Sequence, residues 1–464
     1  MAQRRFRWSV RGARSACRDN VTRLTKPVRT APRLIAAGPG AHQNPSLASW
    51  NPSSLPRSTA DARALKAAIF GAAGFALLAL ASYGFTVYDL AAALSQDGLA
   101  YTLVDRDFAN YWLAGKLVLS GEYLDLFHHD AYFPHLQQLF GTDYQIRSWS
   151  YPPHYLLLVW PLGLLTYGTG LVVFLSCSLL LFVGAVVLFR RELAPQSSLV
   201  VLVLALSGFV VMMLAATQNG FLTGAALLCG LACMNQRPML AGLAFACLTV
   251  KPQLGLLIPV LLLFDRNWIV FVWSAVFTAV LVLVSAALFG LDSWAVYLTD
   301  TLAYQRSVMT DWDGIFLRMM PTVFGSMRSL GFSPALAATV QWPVSLAALA
   351  AVSWLLYRES DPLRRIFVIT CGTFLITPYA FNYDMGALSV CAALLAGSTS
   401  RGKSLAVPMA IVASIPAALT NLGRAGLPCA PLVFAFGLAV IGIAAGRFSA
   451  RRAHEMPASA PTGS

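Results

Sequence analysis

Charged side chains are scarce in this chain of 464 residues. Asp, Glu, Lys and Arg together make up 11% of it, whereas hydrophobic residues make up 57%. That composition leaves too few polar side chains to cover a soluble globule. The sequence therefore predicts a protein that crosses the membrane many times.

Several catalytic signatures and cysteine patterns are also missing. There is no Walker loop, no G-x-S-x-G elbow and no H-E-x-x-H helix, so neither an ATP-driven machine nor a zinc metalloprotease has support. None of the eight cysteines lies in the polar loop after the first apolar run. We interpret seven as small core residues and Cys17 as a tail thiol, and we predict no disulfide framework, metal site or cofactor.

The net charge of +13 does not indicate a nucleic-acid partner. The basic residues lie in the N-terminal tail and at loop ends and do not form the single stripe that a duplex-binding protein presents. Lys and Arg concentrate instead in cytoplasmic loops of membrane proteins, and this bias explains their distribution here.

Apolar runs of about 18 residues or more recur between residues 64 and 446, and each can cross about 30 Å of hydrocarbon as a helix. Because a spanning backbone must satisfy its own hydrogen bonds, the predicted fold is an all-α polytopic membrane protein. Placing the basic clusters in the cytoplasm gives about 12 crossings with both termini inside, plus short interfacial or re-entrant helices. The crossings are predicted near residues 64–88, 168–189, 198–216, 221–235, 238–250, 253–264, 268–290, 335–357, 364–378, 384–398, 404–420 and 429–446.

The same pattern predicts three regions. Residues 1–63 form a disordered basic cytoplasmic tail, residues 64–449 form the transmembrane domain, and residues 450–464 form a second cytoplasmic tail. Residues 89–152 and 291–334 are predicted as external loops, the first because acids outnumber bases there. Residues 151–165 are expected to form a short helix that enters and returns or lies at the interface, since a full crossing would turn the later arginines outward.

Ionisable residues beside apolar helices are the candidates for chemistry, because one costs about 2.5–3.5 kcal/mol at a helix centre. In "VDRDFANYW", Asp105 and Asp107 precede apolar residues at helical spacing, and either acid can instead be a solvated loop carboxylate. Lys251 precedes Pro252, which disfavours helix there, so its ammonium faces a cavity or extends to the headgroups.

Other candidates have structural alternatives of equal weight. Asn219, after Gln218 in "TQNG", can cap the next helix or contact a ligand, and Asp384, after Tyr383, can complement a helix dipole. Tyr151 and His154 flank a proline pair that orients the following segment, and the role of His154 stays open. The stretch around Arg306 and Arg318 has charges able to hold a phosphate or a sugar, or it is an interfacial helix with an aromatic belt.

Taken in order, "DFANYWLAGKLVLSGEYLDLF", "YPPHYLLLVWPLGLL", "TQNGFLTGAALL", "RPMLAGLAFACLTVKPQLGLLIPVLLL" and "TPYAFNYDMGAL" resemble glycosyltransferase family 87. These are integral-membrane enzymes of the GT-C class, including polyprenyl-phosphate-mannose-dependent mannosyltransferases, and the resemblance covers about residues 100–400. One departure is Thr217, which stands where a Gly often precedes "QNG" in the family.

The resemblance implies an inverting transfer of mannose or another hexose from a polyprenyl-phosphate donor to an acceptor hydroxyl on the external face of the plasma membrane. It implies that Asp107 is the general base, with Asp105 beside it. The expected partners are the lipid-linked sugar, a glycolipid or polysaccharide acceptor and membrane lipids. The residues expected to hold donor phosphate and substrate are Lys251, Asn219, Gln218, His154, Tyr151, Arg306, Arg318, Tyr383 and Asp384.

Two other functions are compatible with many membrane spans. A lipid or polysaccharide-precursor transporter would use intramembrane polar residues as a translocation path, although no paired repeat is evident. A structural assembly subunit would carry no chemistry at all.

Overall fold

The apolar segments fold as helices. A computed structural model describes residues 59–94, 106–142, 144, 148–398 and 405–455, which belong to one compact unit, and none of these residues forms a β-strand. In chain order the α-helices are α1 Thr59–Leu94, α2 Phe108–Ser120, α3 His129–Phe140, α4 Leu156–Val159, α5 Tyr167–Leu193, α6 Leu199–Ala216, α7 Gly220–Cys233, α8 Pro238–Leu248, α9 Ile258–Phe264, α10 Trp268–Val296, α11 Leu302–Asp311, α12 Ile315–Arg318, α13 Val323–Ser329, α14 Pro334–Arg358, α15 Pro362–Ile376, α16 Gly386–Ala396, α17 Ala406–Ser414, α18 Pro416–Arg424 and α19 Ala430–Glu455.

Some of the residues for which the sequence makes predictions lie outside the described ranges. Asp105, Cys17 and the tail up to residue 58 are not among the described residues. Helix α1 starts at Thr59, before the predicted start of the first span, and the backbone of α19 continues to Glu455.

Among the described residues, five apolar segments are long enough to cross a membrane. They are Ala62–Leu94, Tyr167–Leu193, Leu199–Ala216, Trp268–Asp311 and Pro334–Arg358, and each agrees with a predicted crossing to within one residue or contains it. A sixth is possible if α17 and α18, which meet at a bend of 69°, form one broken span. The part of the chain that the structure describes is therefore that of an all-helical membrane protein.

The predicted number of about 12 crossings is not confirmed. Segments assigned to the other crossings, such as α7, α8 and α16, are apolar but have only 11–14 residues. At 1.5 Å per residue, a helix of 14 residues is about 21 Å long, short of the roughly 30 Å of hydrocarbon. Hydrophobicity alone does not separate such half-length helices from full spans, because both have an apolar sequence.

The region between the first two long spans contains α2, as the helical spacing of "FANYWLAGKLVL" predicts. This helix packs on the turn Trp160–Leu164, and its glycine permits the close approach: a Cβ on Gly115 would lie 2.5 Å from the backbone nitrogen of Gly163. Residues 153–164 form short helical turns, in agreement with the predicted short helix. An aromatic cluster rich in Tyr, Trp and Phe buries the inner face of α2.

The later polar region, residues 291–334, is largely helical. Helix α10 is kinked at Gly290, whose φ is 75°, and continues through a π-helical turn, Tyr297–Thr301, into α11. Thr301 donates a hydrogen bond of 3.0 Å to the carbonyl of Phe127, which joins this helix to the segment after α2. One space is surrounded by the N-terminal end of α2, the 217–219 turn, the 251–255 turn and the 379–384 segment.

Candidate active site

A cavity of about 370 Å³ lies among these segments, and we call it the polar cavity. Three charged side chains from the described ranges line it, those of Asp107, Lys251 and Arg306. Its uncharged polar and tyrosine lining comes from Asn110, Ser148, Ser150, Tyr151, Gln218, Gln253, Tyr297, Gln305, Tyr379 and Tyr383. Both a negative and two positive groups are therefore available to one bound molecule.

Asp107 stands at the N-cap position of α2, where its side chain makes no capping hydrogen bond. The amide of Phe108 instead donates to the Thr217 hydroxyl at 3.3 Å. Thr217 has φ 52°, the left-handed conformation that glycine adopts most easily. The residue that departs from the family pattern therefore keeps the glycine-like turn and contacts the start of α2.

Gln218 joins the 217–219 turn to the tyrosines of the cavity. Its Oε1 accepts hydrogen bonds from the Tyr111 hydroxyl at 2.5 Å, the Tyr151 hydroxyl at 3.3 Å and the Asn219 amide at 3.0 Å. Burial, together with the neighbouring phenols and Asp107, raises the pKa of Tyr111 well above its usual value. Burial likewise raises the pKa of Tyr151, so both phenols stay neutral hydrogen-bond donors at neutral pH.

Lys251 is buried and paired. Its Nζ donates to Asp384 Oδ1 at 2.6 Å and lies 4.8 Å from the centre of the Tyr383 ring. The second Asp384 oxygen accepts from the Phe381 amide at 3.1 Å. Lys251 has φ −134° and ψ 75°, which agrees with the predicted effect of Pro252, and the alternative in which it extends to the headgroups is wrong.

Arg306 and its neighbour Gln305 bring α11 into the cavity lining. Gln305 donates to the Ser150 hydroxyl at 2.6 Å and accepts from the Tyr379 hydroxyl at 3.2 Å. These two bonds connect α11 to the segment that contains Ser150 and to the 379–384 segment. Arg318, the other arginine predicted for this role, is exposed and is not part of the cavity lining.

Two predicted site residues point elsewhere. His154 lies against the Trp294 ring, and its Nε2 is 3.2 Å from the Thr249 hydroxyl. Burial lowers its pKa to about 4, so it is neutral near pH 7. Asn219 occupies the N-cap position of α7, but its side chain donates to the Tyr155 hydroxyl at 3.2 Å and makes no capping bond.

Asn219 lines a second, larger space of about 870 Å³ between α5, α7 and α8, which we call the apolar groove. Its lining is almost entirely aliphatic, apart from cysteines and from the side chains of Tyr155, Asn219 and Thr223 at one part of its surface. Val250 lines both the apolar groove and the polar cavity. The two spaces therefore adjoin each other at Val250.

Four residues of the site were not predicted from the sequence: Tyr111, Asn110, Gln305 and Tyr379. Tyr111 and Asn110 belong to "DFANYW", where an i, i+3 or i+4 spacing from Asp107 places them on the same side of the helix start. Gln305 precedes Arg306, and Tyr379 lies five positions before Asp384 in "PYAFNYD". Uncharged polar residues carried no hydropathy signal that distinguished them from ordinary loop residues.

One known protein family matches the sequence of the chain. The model for glycosyltransferase family 87 matches residues 149–378, about half of its length. The chain belongs to glycosyltransferase family 87. This family membership implies glycosyltransferase activity and gives no support to the transporter alternative.

The matched segment includes Gln218, Lys251 and Arg306, whereas Asp107 and Asp384 lie outside it. The polar cavity nevertheless brings Asp107 together with the matched residues, and Asp384 joins them through Lys251. No curated protein and no solved structure matches the chain.

Proposed function

We propose that this glycosyltransferase moves a sugar, mannose or another hexose, from a polyprenyl-phosphate donor to an acceptor hydroxyl on the external face of the plasma membrane, with inversion at the anomeric carbon. Asp107 acts as the general base. The observation that carries the proposal is that one carboxylate and two cationic side chains line a single cavity beside the apolar groove.

The reaction needs one proton acceptor and one anion-binding group. The acceptor oxygen attacks the anomeric carbon and forms the new glycosidic bond while its proton passes to the Asp107 carboxylate. The bond between the anomeric carbon and the phosphate oxygen breaks, and its electron pair leaves with the polyprenyl phosphate. Attack from the side opposite the leaving group inverts the configuration.

The phosphate gains a second negative charge as it leaves. Among the described residues of the cavity lining, Lys251 and Arg306 are the cations, and either can stabilise that charge. The Asp384 partner of Lys251 holds the ammonium in position and keeps it from being an unpaired buried charge. Arg306 has a planar fork of donors suited to two phosphate oxygens.

The sugar is expected to lie against the aromatic part of the cavity. The Phe381 and Tyr383 rings stack with centroids 4.9 Å apart, and Phe316 packs edge-on against Phe381 at 5.2 Å. All three residues line the polar cavity. Their apolar faces complement the C–H faces of a hexose, while Gln218, Ser150 and the neutral phenols offer hydrogen bonds to its hydroxyls.

The lipid chain of the donor is expected to occupy the apolar groove. Burying each CH₂ group of such a chain contributes about 0.8 kcal/mol, so a groove of this lining favours a long hydrocarbon over a soluble nucleotide sugar. Because Val250 lines both spaces, the phosphate end of the same molecule reaches the polar cavity.

The test is a transfer assay in membranes with radiolabelled polyprenyl-phosphate sugar. Asp107→Asn keeps the size of the side chain and removes the base, so transfer should fall by a factor of about 10²–10⁴. Asp313→Asn is the matched control, because Asp313 is an exposed acid that is not part of the cavity lining. Wild-type transfer by Asp107→Asn, or a product with retained anomeric configuration, would remove Asp107 from this role.

A further inference from the structure

Thr217 adopts an unusual backbone conformation for its residue type. Its φ is 52°, and it is fully buried. A β-branched residue in the left-handed region is a true outlier, because its Cβ substituents crowd the backbone there. Strained conformations of this kind persist where the surroundings hold them in place, and they cluster at functional sites.

The Thr217 hydroxyl has a long-range partner that a glycine could not provide. Phe108, the first residue of α2, donates its amide hydrogen to Thr217 Oγ1 at 3.3 Å, across 109 positions of sequence. Phe108 directly follows Asp107. The hydroxyl thus takes the place of an N-cap side chain for the helix that presents the Asp107 carboxylate.

A second bond connects the same two segments. Tyr111, one turn after Phe108, donates its hydroxyl hydrogen to Gln218 Oε1 at 2.5 Å. The two bonds are one helical turn apart, so α2 is held to the 217–219 turn at two points, by the Phe108 backbone amide and by the Tyr111 side chain. The turn is itself pressed against the 381–384 segment, since a Cβ on Gly220 would lie 1.9 Å from the carbonyl oxygen of Tyr383.

We propose that Thr217 is a positioning residue, which acts through the start of α2 to set the orientation of the Asp107 carboxylate in the polar cavity. This inference rests on the proposed role of Asp107 as the base. Without the hydroxyl, the first amide of α2 loses its partner and the helix start can tilt away from the turn. A displacement of about 1 Å in a reacting group lowers a rate by a factor of about 10².

Three substitutions at Thr217 distinguish the effect of its hydroxyl from the effect of its backbone conformation. Thr217→Ser retains the hydroxyl, Thr217→Val retains the shape without the hydroxyl, and Thr217→Gly removes the hydroxyl but suits the left-handed turn. We expect kcat to fall about 10- to 100-fold for Val and Gly, with KM for both substrates changed less than about twofold, whereas Ser keeps most of the activity. Thermal stability in detergent should stay close to that of the wild type for Thr217→Gly, because relief of the backbone strain offsets the lost hydrogen bond to the Phe108 amide.

The decisive measurement combines Thr217→Gly with Asp107→Asn. If Thr217 acts through Asp107, the hydroxyl loss should cause no further decrease in residual transfer once the carboxylate is gone. Thr373→Val is the control, since Thr373 is a buried threonine of α15 whose hydroxyl bonds within its own helix, to the Ile369 carbonyl at 2.9 Å.

Each outcome decides between the two proposals. Wild-type kcat for Thr217→Gly, an effect confined to KM, or a full additional loss in the Asp107→Asn background would overturn the positioning role while Asp107 remains the base. Full activity of Asp107→Asn alone would overturn the proposed function. If Thr217→Val does not fold, the Gly and Ser variants still carry the comparison.

Discussion

Lys251 Nζ lies 2.6 Å from Asp384 Oδ1, although 133 positions of sequence separate the two residues. The two side chains are 8% and 0% exposed. A buried ammonium without a counter-ion costs several kcal/mol, so Asp384 allows a cation to stand in the lining of the polar cavity. The 379–384 segment and the 251–255 turn therefore depend on each other.

Substitution of either partner alone should be strongly destabilising. Lys251→Met or Asp384→Leu leaves one buried charge unpaired, and each should lower the free energy of unfolding by about 3–5 kcal/mol. The double variant removes both charges, so it should recover most of that stability but not sugar transfer, because the ammonium is still missing. Thermal unfolding in detergent and the transfer assay, run on the same preparations, measure the two effects.

The outcome of the double variant decides the role of the ammonium. A stable double variant with wild-type transfer would contradict a role of Lys251 in holding the donor phosphate. A double variant as unstable as either single variant would instead show that the segment needs the charges themselves.

Arg306 and Arg318 offer a matched pair of arginines. Both are exposed, but only Arg306 is part of the polar-cavity lining. Arg306→Gln should raise the KM for the lipid-phosphate donor about 10-fold, which corresponds to a loss of about 1.4 kcal/mol of binding free energy for the phosphate. Arg318→Gln should leave KM unchanged, and equal effects of the two substitutions would exclude a specific contact by Arg306.

Much of the site was predictable from the sequence because its residues break an otherwise apolar pattern. A lysine followed by proline between two apolar segments indicated a buried or interfacial ammonium, and the structure buries it. The helical spacing after Asp107 predicted α2. The Lys251–Asp384 pair was not predictable, because the two residues are 133 positions apart. Their contact depends on which helices pack together, and hydropathy does not give that arrangement.

Neither the number of crossings nor the surroundings of His154 follow from hydropathy. Apolar composition predicted the segments that form α7, α8 and α16. It did not predict that these helices are too short to span the bilayer. His154 was one of few ionisable residues in an apolar stretch, which made it a site candidate. Its ring instead packs on Trp294, and no local pattern in the sequence predicts that contact.

The pH dependence of stability should report on His154. Burial lowers its pKa from 6.5 to about 4, so between these values the unfolded chain binds a proton that the folded chain does not. Stability contributed by the neutral ring is present above pH 6.5 and is lost as the pH falls towards about 4, by up to about 3 kcal/mol. Thermal unfolding from pH 4 to pH 8 measures this loss.

The matched variant for this experiment is His154→Gln, which retains hydrogen-bonding atoms near Thr249 without a titrating group. Its unfolding temperature should depend less on pH in this window than that of the wild type. Identical profiles for the two proteins would assign the acid sensitivity to other groups.

The apolar groove can be filled without disturbing the fold. A Cβ on Gly184, which lines the groove on α5, would meet no atom within 4 Å, so a large side chain there occupies the groove itself. Gly184→Trp should raise the KM for a long-chain polyprenyl-phosphate sugar about 10-fold or more. It should affect a short-chain analogue far less, because that molecule leaves the groove empty.

Gly74 on α1 supplies the control for that substitution. A Cβ added there would likewise meet no atom within 4 Å, but Gly74 lies outside the groove. Gly74→Trp should therefore leave both KM values unchanged while adding the same bulk to a lipid-facing helix. If Gly184→Trp raised the KM of the short-chain and long-chain donors equally, the groove would not be the site of the lipid chain. A substitution in the groove can affect the two donors differently only if the longer chain occupies the groove.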